Sequence, residues 1–241
     1  MKKLLLLLSV FTTIISYSQT RGYSGSNFAG SDGVPHDMQF HDADGNLILI
    51  GDHPDVNGSP MLNDSSGLAV IKFRNGKNIT DSFINYSLFD NKLFYIQKGK
   101  YYSINDPVKE FSISFPSNPG SKVSYNFKTG FPAYNHNDNS TIYEVLFEGN
   151  SLQLLKWQHK KIEVSEKYAT APEKEFVSVQ DYYTFLPKEN RMIELGSKMN
   201  LNELKKSLPA YTAQIDAYES AHKINAKKED NWIQLFTYLD K

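Results

Sequence analysis

The sequence predicts an α+β protein: a curved antiparallel β-meander followed by two or three C-terminal helices packed on it. Aromatic residues, which favour strands, are common, with 15 tyrosines and 15 phenylalanines in 241 residues. Turn-forming pairs recur at short intervals between residues 35 and 196, as in a run of hairpins. From residue 197 to 241 apolar residues recur instead at alternate spacings of three and four, which is the period of a helix.

Residues 1–18 predict a secretory signal peptide. Lys2 and Lys3 open it, a short apolar stretch follows, and two serines stand where signal peptidase requires small residues. The apolar stretch is shorter than the ~20 residues of a membrane-spanning helix, and Ser and Thr interrupt it. We therefore expect an exported protein whose mature chain begins with a flexible, Gly- and Ser-rich segment over residues 19–34.

The composition narrows the class of protein further. The chain has no cysteine, so we expect neither disulfides nor a lipid anchor, and no later stretch is apolar enough to span a membrane. Removal of the leader takes two of 26 basic residues and none of 27 acidic ones, which moves the formal net charge from −1 to about −3. A nucleic-acid-binding domain usually carries a basic patch, so this balance argues against nucleic acid as a partner.

Residues 35–196 are predicted to form roughly eight to ten antiparallel strands. Turn residues between apolar runs indicate hairpins at 42–46, 75–76, 90–91, 98–100 and 148–150. Phe111, Ile113 and Phe115 alternate with serines, which indicates a half-buried strand. Further strands are predicted at 123–127, 152–157, 160–168, 176–185 and 192–195.

Residues 197–241 are predicted to form the helical region. Asn200 is expected to cap a first helix, with Glu203 completing a capping box. Apolar residues at helical spacing continue from Leu201 to Tyr218, and we name them the seam. Pro209 lies inside the seam, so it either kinks this helix or opens a second one. The seam is too short to indicate a coiled coil. Asn225 is expected to cap the last helix.

A polar cluster near the predicted mature N-terminus is the one candidate metal site. Its members are imidazole and carboxylate residues, the ligands that transition metals use: His36, Asp37, His41, Asp42, Asp44, Asp52, His53 and Asp55. The candidate ligands are His36, His41 and His53, although their spacing fits no standard zinc site. An EF-hand loop starting at Asp42 fails, because Leu47 stands where Gly is needed.

No catalytic or cofactor motif accompanies this cluster. The chain has no Gly-x-Ser-x-Gly elbow, no P-loop and no Gly-x-Gly-x-x-Gly turn, so we expect no catalytic residue and no cofactor. The aromatic strands between residues 83 and 102 allow two interpretations. They either line a concave surface that holds an apolar ligand, or they pack beneath the C-terminal helices with tyrosines at the wet edge.

Several stretches together resemble an uncharacterised family of exported proteins common in Bacteroidota. They are residues 58–63 (GSPMLN), the pair Asn85 and Tyr86, residues 108–111 (VKEF), residues 145–149 (VLFEG) with 154–156 (LLK), and the lysine-rich C-terminal helices. The resemblance implies a Gram-negative envelope setting and brings no activity with it. A helix rather than a β-rich sorting domain is predicted at the C-terminus, which favours the periplasm over release from the cell.

These observations favour a non-enzymatic envelope protein that uses its sheet, or an edge of that sheet, to hold a partner. The partner would be an envelope protein or an apolar ligand. Two alternatives stay open at this point. One is a carrier of an apolar ligand, and the other is a metal-dependent hydrolase built on His36, His41 and His53.

Overall fold

The computed structural model describes residues 40–41, 47–48, 55–97, 100–117, 120–165 and 172–241. Within them, thirteen strands form one open sheet. The strands are β1 Phe40–His41, β2 Leu47–Ile48, β3 Val56–Asn57, β4 Gly67–Phe73, β5 Asn78–Ser87, β6 Lys92–Gln97, β7 Lys100–Ser103, β8 Val108–Pro116, β9 Lys122–Lys128, β10 Tyr143–Glu148, β11 Gln153–Ser165, β12 Glu173–Leu186 and β13 Arg191–Gly196. The helices are α1 Leu201–Ser207, α2 Thr212–Ala221 and α3 Glu229–Leu239, with 3-10 turns at Pro187–Glu189 and Pro209–Tyr211.

The strand order is β13-β12-β11-β10-β9-β8-β4-β5-β6-β7-β1-β2, and β3 lies beside β12. Most strands pair antiparallel with their neighbours in the chain, and three helices follow the strands, so the α+β class is confirmed. The sheet departs from a simple meander because β8 returns to pair with β4. In addition, β1 pairs in parallel with β7 and β3 pairs in parallel with β12.

The predicted turns at 75–76 and 90–91 are confirmed. Gly76 has a φ of 84°, and its N–H donates to the carbonyl of Phe73 at 3.1 Å, which closes the turn between β4 and β5. Asn91 has a φ of 55° between β5 and β6. Left-handed backbone is inexpensive for Gly and tolerated by Asn, which is why these residues mark the turns in the sequence.

One long strand, β11, replaces the two strands predicted at 152–157 and 160–168. It pairs with β12 in an unbroken register from Gln153 opposite Phe185 to Ser165 opposite Glu173. The polar run at 158–161 therefore lies within a strand. The rings of Trp157 and His159 stack 3.9 Å apart, because residues two apart in a strand share a face.

The predicted cap of the first helix is confirmed, but Glu203 pairs with Lys206 and does not complete the predicted capping box. The side chain of Asn200 accepts a hydrogen bond from the N–H of Asn202 at 2.8 Å and so caps α1. Glu203 forms an ion pair with Lys206 at 2.8 Å. Pro209 opens the 3-10 turn that leads into α2, so the seam is divided between two helices.

The predicted cap of the last helix is wrong. Helix α3 begins at Glu229, and its N-cap residue is Lys228. The Asn225 side chain instead accepts from the N–H of Lys227 at 3.0 Å, so it stabilises the turn before the helix. Glu229 and Asp230 occupy the first turn of α3, where the helix dipole favours acidic residues.

The helices pack on the β10–β13 part of the sheet. Trp232, Leu235 and Phe236 of α3 form one buried cluster with Leu154 and Tyr182. The adjacent residues Leu155 and Tyr183 belong to another cluster, beneath Phe131 of the long connection between β9 and β10. Adjacent strand residues face opposite ways, so these clusters lie on opposite faces of the sheet.

The β4, β8 and β9 part of the sheet has one buried and one exposed face. In β4 the residues Ala69, Ile71 and Phe73 are buried, and they join the third cluster, which also holds Phe111 and Phe127. We name this side the core face. Leu68, Val70 and Lys72 alternate with them and are exposed. We name their side the open face.

Candidate binding site at the fork between β9 and β10

Strands β9 and β10 separate soon after they meet. They pair at two positions only, Tyr143 with Lys128 and Glu144 with Phe127. Beyond these positions β9 continues with β8 alone, and β10 continues with β11 alone. We name the gap between residues 122–126 of β9 and residues 145–148 of β10 the fork.

A β-bulge in β10 accompanies the separation. Val145 pairs with Leu155 and Phe147 pairs with Leu154, the next residue of β11. Leu146 is therefore an extra residue in β10 that has no partner in β11. A bulge bends its strand and increases the local twist. The β10 strand therefore turns away from the direction that would keep it paired with β9.

The β9 edge presents regularly spaced hydrogen-bonding groups to the fork. The N–H of Thr129 donates to the carbonyl of Lys109 at 3.0 Å, which fixes the phase of the antiparallel ladder with β8. Because bonded and non-bonded pairs alternate, the backbone groups of Lys122, Ser124 and Asn126 point away from β8. In the described part of the chain no strand pairs with Lys122 and Ser124 on this side, whereas the pairing of Phe127 with Glu144 engages the carbonyl of Asn126 with β10.

A cleft of about 560 Å³ opens at the fork. Its lining comes from β4, β8, β9 and β10, and it combines apolar, polar and charged residues: Val70, Lys72, Glu110, Phe111, Ser112, Asn126, Phe127, Lys128, Val145, Leu146, Phe147 and Glu148. This volume lies within the usual range for binding pockets, about 300–1,000 Å³. The cleft is therefore large enough to admit several side chains of another molecule.

A row of ion pairs runs from β4 past Lys128, at the narrow end of the fork where β9 and β10 pair, to Glu148, the last residue of β10. Lys72 bonds Glu110 at 2.7 Å, Lys128 lies 3.5 Å from Glu110, and Lys128 bonds Glu148 at 2.6 Å. The hydrogen bond and charge of Glu110 raise the pKa of Lys72. The hydrogen bond from Lys72, aided by Lys128, lowers the pKa of Glu110 although burial opposes this. The two lysines and two glutamates make the row formally neutral.

The open face is polar next to the ion pairs and becomes apolar with increasing distance from the fork. Ser112 pairs with Asn126 across β8 and β9, and the hydroxyls of Ser114 and Ser124 lie 2.8 Å apart. Further from the fork, Leu68 and Phe83 are cross-strand neighbours that are 38% and 59% exposed. The open face thus offers hydroxyl and amide groups beside the fork itself.

The core face of the same edge is apolar. Val123 is 43% exposed although it lies in a strand, and Tyr125 is half-buried. The ring of Tyr125 contacts the rings of Phe115 at 6.1 Å and Phe127 at 6.2 Å. The buried cluster of the core face therefore extends to the β9 edge, where Val123 and Tyr125 are its outermost residues.

A second polar group lies on the far side of β10, and the structure uses it internally. Lys156 binds Glu144 at 2.8 Å and Glu229 of α3 at 3.0 Å, and the hydroxyl of Tyr182 donates to Glu229 at 2.6 Å. Burial opposes the charge of Lys156, but the two carboxylates hold its pKa above the ordinary value. Each polar group here has a protein partner, so the group joins α3 to the sheet.

The predicted metal ligands are not brought together within the described residues. His36 and His53 lie outside them, and of His41 only its place in β1 is described. Asp55, from the same cluster in the sequence, forms an ion pair with Lys174. No group of three or more metal-binding side chains occurs in the part of the chain that the structure describes. The metal hypothesis stays a prediction.

Apart from Phe83, the aromatic residues of β5 and β6 pack at least partly within the protein. Tyr86 contacts Phe111 at 5.8 Å and Phe127 at 5.3 Å, and both Tyr86 and Phe94 are buried. The C-terminal helices pack instead on β10–β13, so the expectation that they cover these aromatic strands is wrong. The cleft also lies elsewhere, on the open face.

The sequence gives only a weak signal for the fork. The strand at 123–127 is predicted, but whether its edge is paired depends on the path of β10. The one local sign is the run Val145, Leu146 and Phe147, where three consecutive apolar residues break the alternation of a regular strand. The structure shows that this run carries the bulge.

Comparison of the chain with protein-family models, with curated proteins and with solved structures finds no match. Among the described residues, no helix combines the length and apolar character needed to cross a membrane.

Proposed function

We propose that this protein is a non-enzymatic binding protein that holds an extended segment of a partner polypeptide as an added strand in the fork. The observation that carries the proposal is the β9 edge. There, Lys122 and Ser124 direct their backbone N–H and C=O groups, and Asn126 its N–H, into the fork, and no described strand pairs with these groups. Strand addition to a sheet edge is a recurring mode of peptide recognition, in which main-chain hydrogen bonds supply affinity.

The fork distinguishes this edge from an ordinary sheet edge. An exposed edge strand is a liability for aggregation, and proteins usually shorten it, cover it or place charges on it. Here β10 and the ion pairs of Lys128 bound the edge at one end, and the cleft lies beside Asn126 at that end. An isolated extended segment fits such a gap better than the edge of a second folded sheet does.

The expected affinity is moderate. Each backbone hydrogen bond contributes about 0.5–1.5 kcal/mol net, and the three residues offer a small number of them. Together with partial side-chain burial this corresponds to dissociation constants from about 1 mM to 1 µM. Such a protein would bind its partner reversibly.

The partner is expected to be another envelope protein, because the sequence predicts export. An apolar ligand on the concave side of a curved, aromatic-lined sheet is the alternative that the sequence suggests. No contact among the described residues favours it, since the ring of Tyr86 in β5 contacts Phe111 and Phe127, and the ring of Tyr95 in β6 stacks on Tyr102.

Substitution of Ser124 tests the proposal. Ser124→Pro removes one N–H that points into the fork, but it leaves the ladder with β8 intact because that N–H does not bond β8. Ser124→Ala removes the hydroxyl and keeps the N–H. Peptides selected from a random library on the wild-type protein should bind Ser124→Ala within about twofold and lose at least tenfold on Ser124→Pro, which is about 1.4 kcal/mol.

Hydrogen exchange measured on the same proteins supplies the second readout. The amides of Ser124 and Asn126 should exchange faster than those of Tyr125 and Phe127, and a bound peptide should slow them selectively. Selected peptides that bind Ser124→Pro as tightly as wild type, with no protection of these two amides, would rule out strand addition. Circular dichroism and the melting temperature show whether each variant is folded.

A further inference from the structure

We infer that the segment entering the fork has apolar side chains at alternate positions, hydroxyl or amide side chains between them, and an acidic residue at the end that lies beside Lys122. This inference rests on the proposed strand addition and specifies the chemistry of the partner. It follows from the two faces of the β9 edge and from the charge at its open end.

The alternation follows from the geometry of a sheet. An added strand lies about 4.8 Å from β9, and its side chains point alternately to the two faces, level with those of β9. On the open face its neighbours would be Ser124 and Asn126, whose side chains are exposed and polar. On the core face its neighbours would be Val123 and Tyr125. One segment therefore meets polar and apolar surroundings at successive residues.

The apolar positions are the stronger of these requirements. Val123 is 43% exposed, and Tyr125 already contacts the buried rings of Phe115 and Phe127. Apolar side chains set beside Val123 and Tyr125 would extend the existing cluster and remove its exposed end from water. Polar side chains in those places would lose contact with water beside the Val123 side chain and the ring of Tyr125.

The acidic end follows from an imbalance of charge along the edge. Lys128, at the narrow end, is neutralised by Glu110 and Glu148. Lys122, at the open end, is exposed, and no ion pair is found for it among the described residues. Opposite charges directly across a strand pair stabilise it by a modest amount, so a carboxylate beside Lys122 is preferred. The ion pairs at the narrow end limit the segment to about the five residues that match positions 122–126.

A peptide titration tests the pattern. The probe is the acetylated, amidated peptide Glu-Val-Thr-Val-Glu, whose symmetrical pattern presents an acidic end to Lys122 in either direction. The matched control, Glu-Thr-Val-Val-Glu, has the same composition without the alternation. NMR titration of the full mature chain, followed at the amides of Ser124 and Asn126, should give at least about threefold weaker binding for the control.

Protein variants separate the two faces. Val123→Ser should weaken binding of the probe about threefold or more, because one apolar neighbour is lost. Val164→Ser is the control, since Val164 is also an exposed strand valine, 56% exposed, but lies in β11 away from the fork. Lys122→Glu should weaken binding of the probe and strengthen that of Lys-Val-Thr-Val-Lys. This reversal identifies the charged contact independently of folding.

The outcomes distinguish this inference from the proposed function. Equal binding of both five-residue peptides, or no reversal with Lys122→Glu, would overturn the inference and leave strand addition standing. If a probe N-methylated at its central residue binds as tightly as the unmethylated probe, strand addition itself is overturned. If the mature chain forms a dimer that Ser124→Pro abolishes, a second copy occupies the edge and the inference of an acidic-ended partner is wrong.

Discussion

Asp240 connects the C-terminal helix to the β10–β11 hairpin. Its carboxylate accepts hydrogen bonds from the backbone N–H groups of Asn150, Ser151 and Leu152 at 2.8, 2.7 and 3.1 Å. A Cβ added at Gly149 would overlap this carboxylate, so the close approach requires glycine there. One acidic side chain at the end of α3 thus fixes the turn of a hairpin that is distant in sequence.

Asp240→Asn should destabilise the protein by about 1.5–3 kcal/mol at neutral pH, because the bonds lose their charged acceptor. Burial opposes the charge of Asp240, but the three N–H groups hold its pKa below the ordinary value. Its stabilisation is therefore complete above the unfolded pKa, near 3.9, and is lost as the pH falls through the lower folded pKa. Urea unfolding at neutral and acidic pH measures both effects.

A matched control for Asp240 is Asp216→Asn. Asp216 pairs with Lys205 at 2.7 Å, and its side chain is 55% exposed. Exposed pairs contribute about 0–1 kcal/mol, so this change should be small. An equal loss from the two substitutions would show that the hairpin contacts of Asp240 add nothing beyond a surface charge.

Two lysines, each between two carboxylates, differ mainly in burial. The side chain of Lys156 is 8% exposed, and that of Lys128 is 29% exposed. Lys156→Ala should cost about 3–5 kcal/mol, because Glu144 and Glu229 are then left without their cation. Lys128→Ala should cost about 1 kcal/mol or less. Chemical denaturation of the two variants checks the difference, and similar losses would contradict it.

The Lys156→Ala variant should also change its dependence on pH. Burial raises the pKa of Glu144 even in the presence of Lys156. Without that lysine, the pKa of Glu144 in the folded state lies above its value in the unfolded state. The free energy of unfolding of the variant should therefore fall as the pH rises through the folded-state pKa of Glu144. A loss that is independent of pH would contradict this account.

At the scale of elements, the sequence predicts most of the secondary structure. Strands β8, β9, β12 and β13 lie close to their predicted positions, because alternation and turn residues are local signals. The continuity of β11 could not be predicted, since its polar middle is held by thirteen paired positions with β12 rather than by its own pattern. The two-residue strand β3 is likewise defined only by its pairing with β12.

The candidate site belongs to this same scale, and the sequence predicts less of it. The residues of β9 are placed in a strand by their sequence, and the alternation of Val123 and Tyr125 with Ser124 and Asn126 is visible there. Whether the β9 edge is covered depends on a bulge in β10, which lies beyond a long connection. Pairing between strands is a tertiary property, so a local pattern does not show which edge is left open.

At the scale of the whole molecule, the two parts of the sheet meet at few points. Besides the two pairs between β9 and β10, the N–H of Lys160 donates to the carbonyl of Leu88 at 3.2 Å. Arg74 bonds the hydroxyl of Thr129 at 3.1 Å and the carbonyl of Asn139 at 2.5 Å. These contacts hold the parts together beyond the end of the fork where β9 and β10 pair.

The predicted leader lies outside the described residues, and it sets where the molecule would work. Expression in a Gram-negative host should give a periplasmic product whose mass begins at Gln19. Leu6→Arg, which interrupts the apolar stretch, should leave an uncleaved precursor in the cytoplasm. A full-length wild-type chain beginning at Met1 would contradict the prediction of export.

The sequence by itself determined the fold class, the tight turns and the division into strands followed by helices, because each depends on the spacing of nearby residues. The tertiary structure alone decided that β8 returns to β4, that the helices lie over β10–β13 and that the β9 edge remains beside a cleft. The physical reason is that a backbone hydrogen-bonding group carries no information about its partner. Only the assembled sheet shows which of these groups are paired.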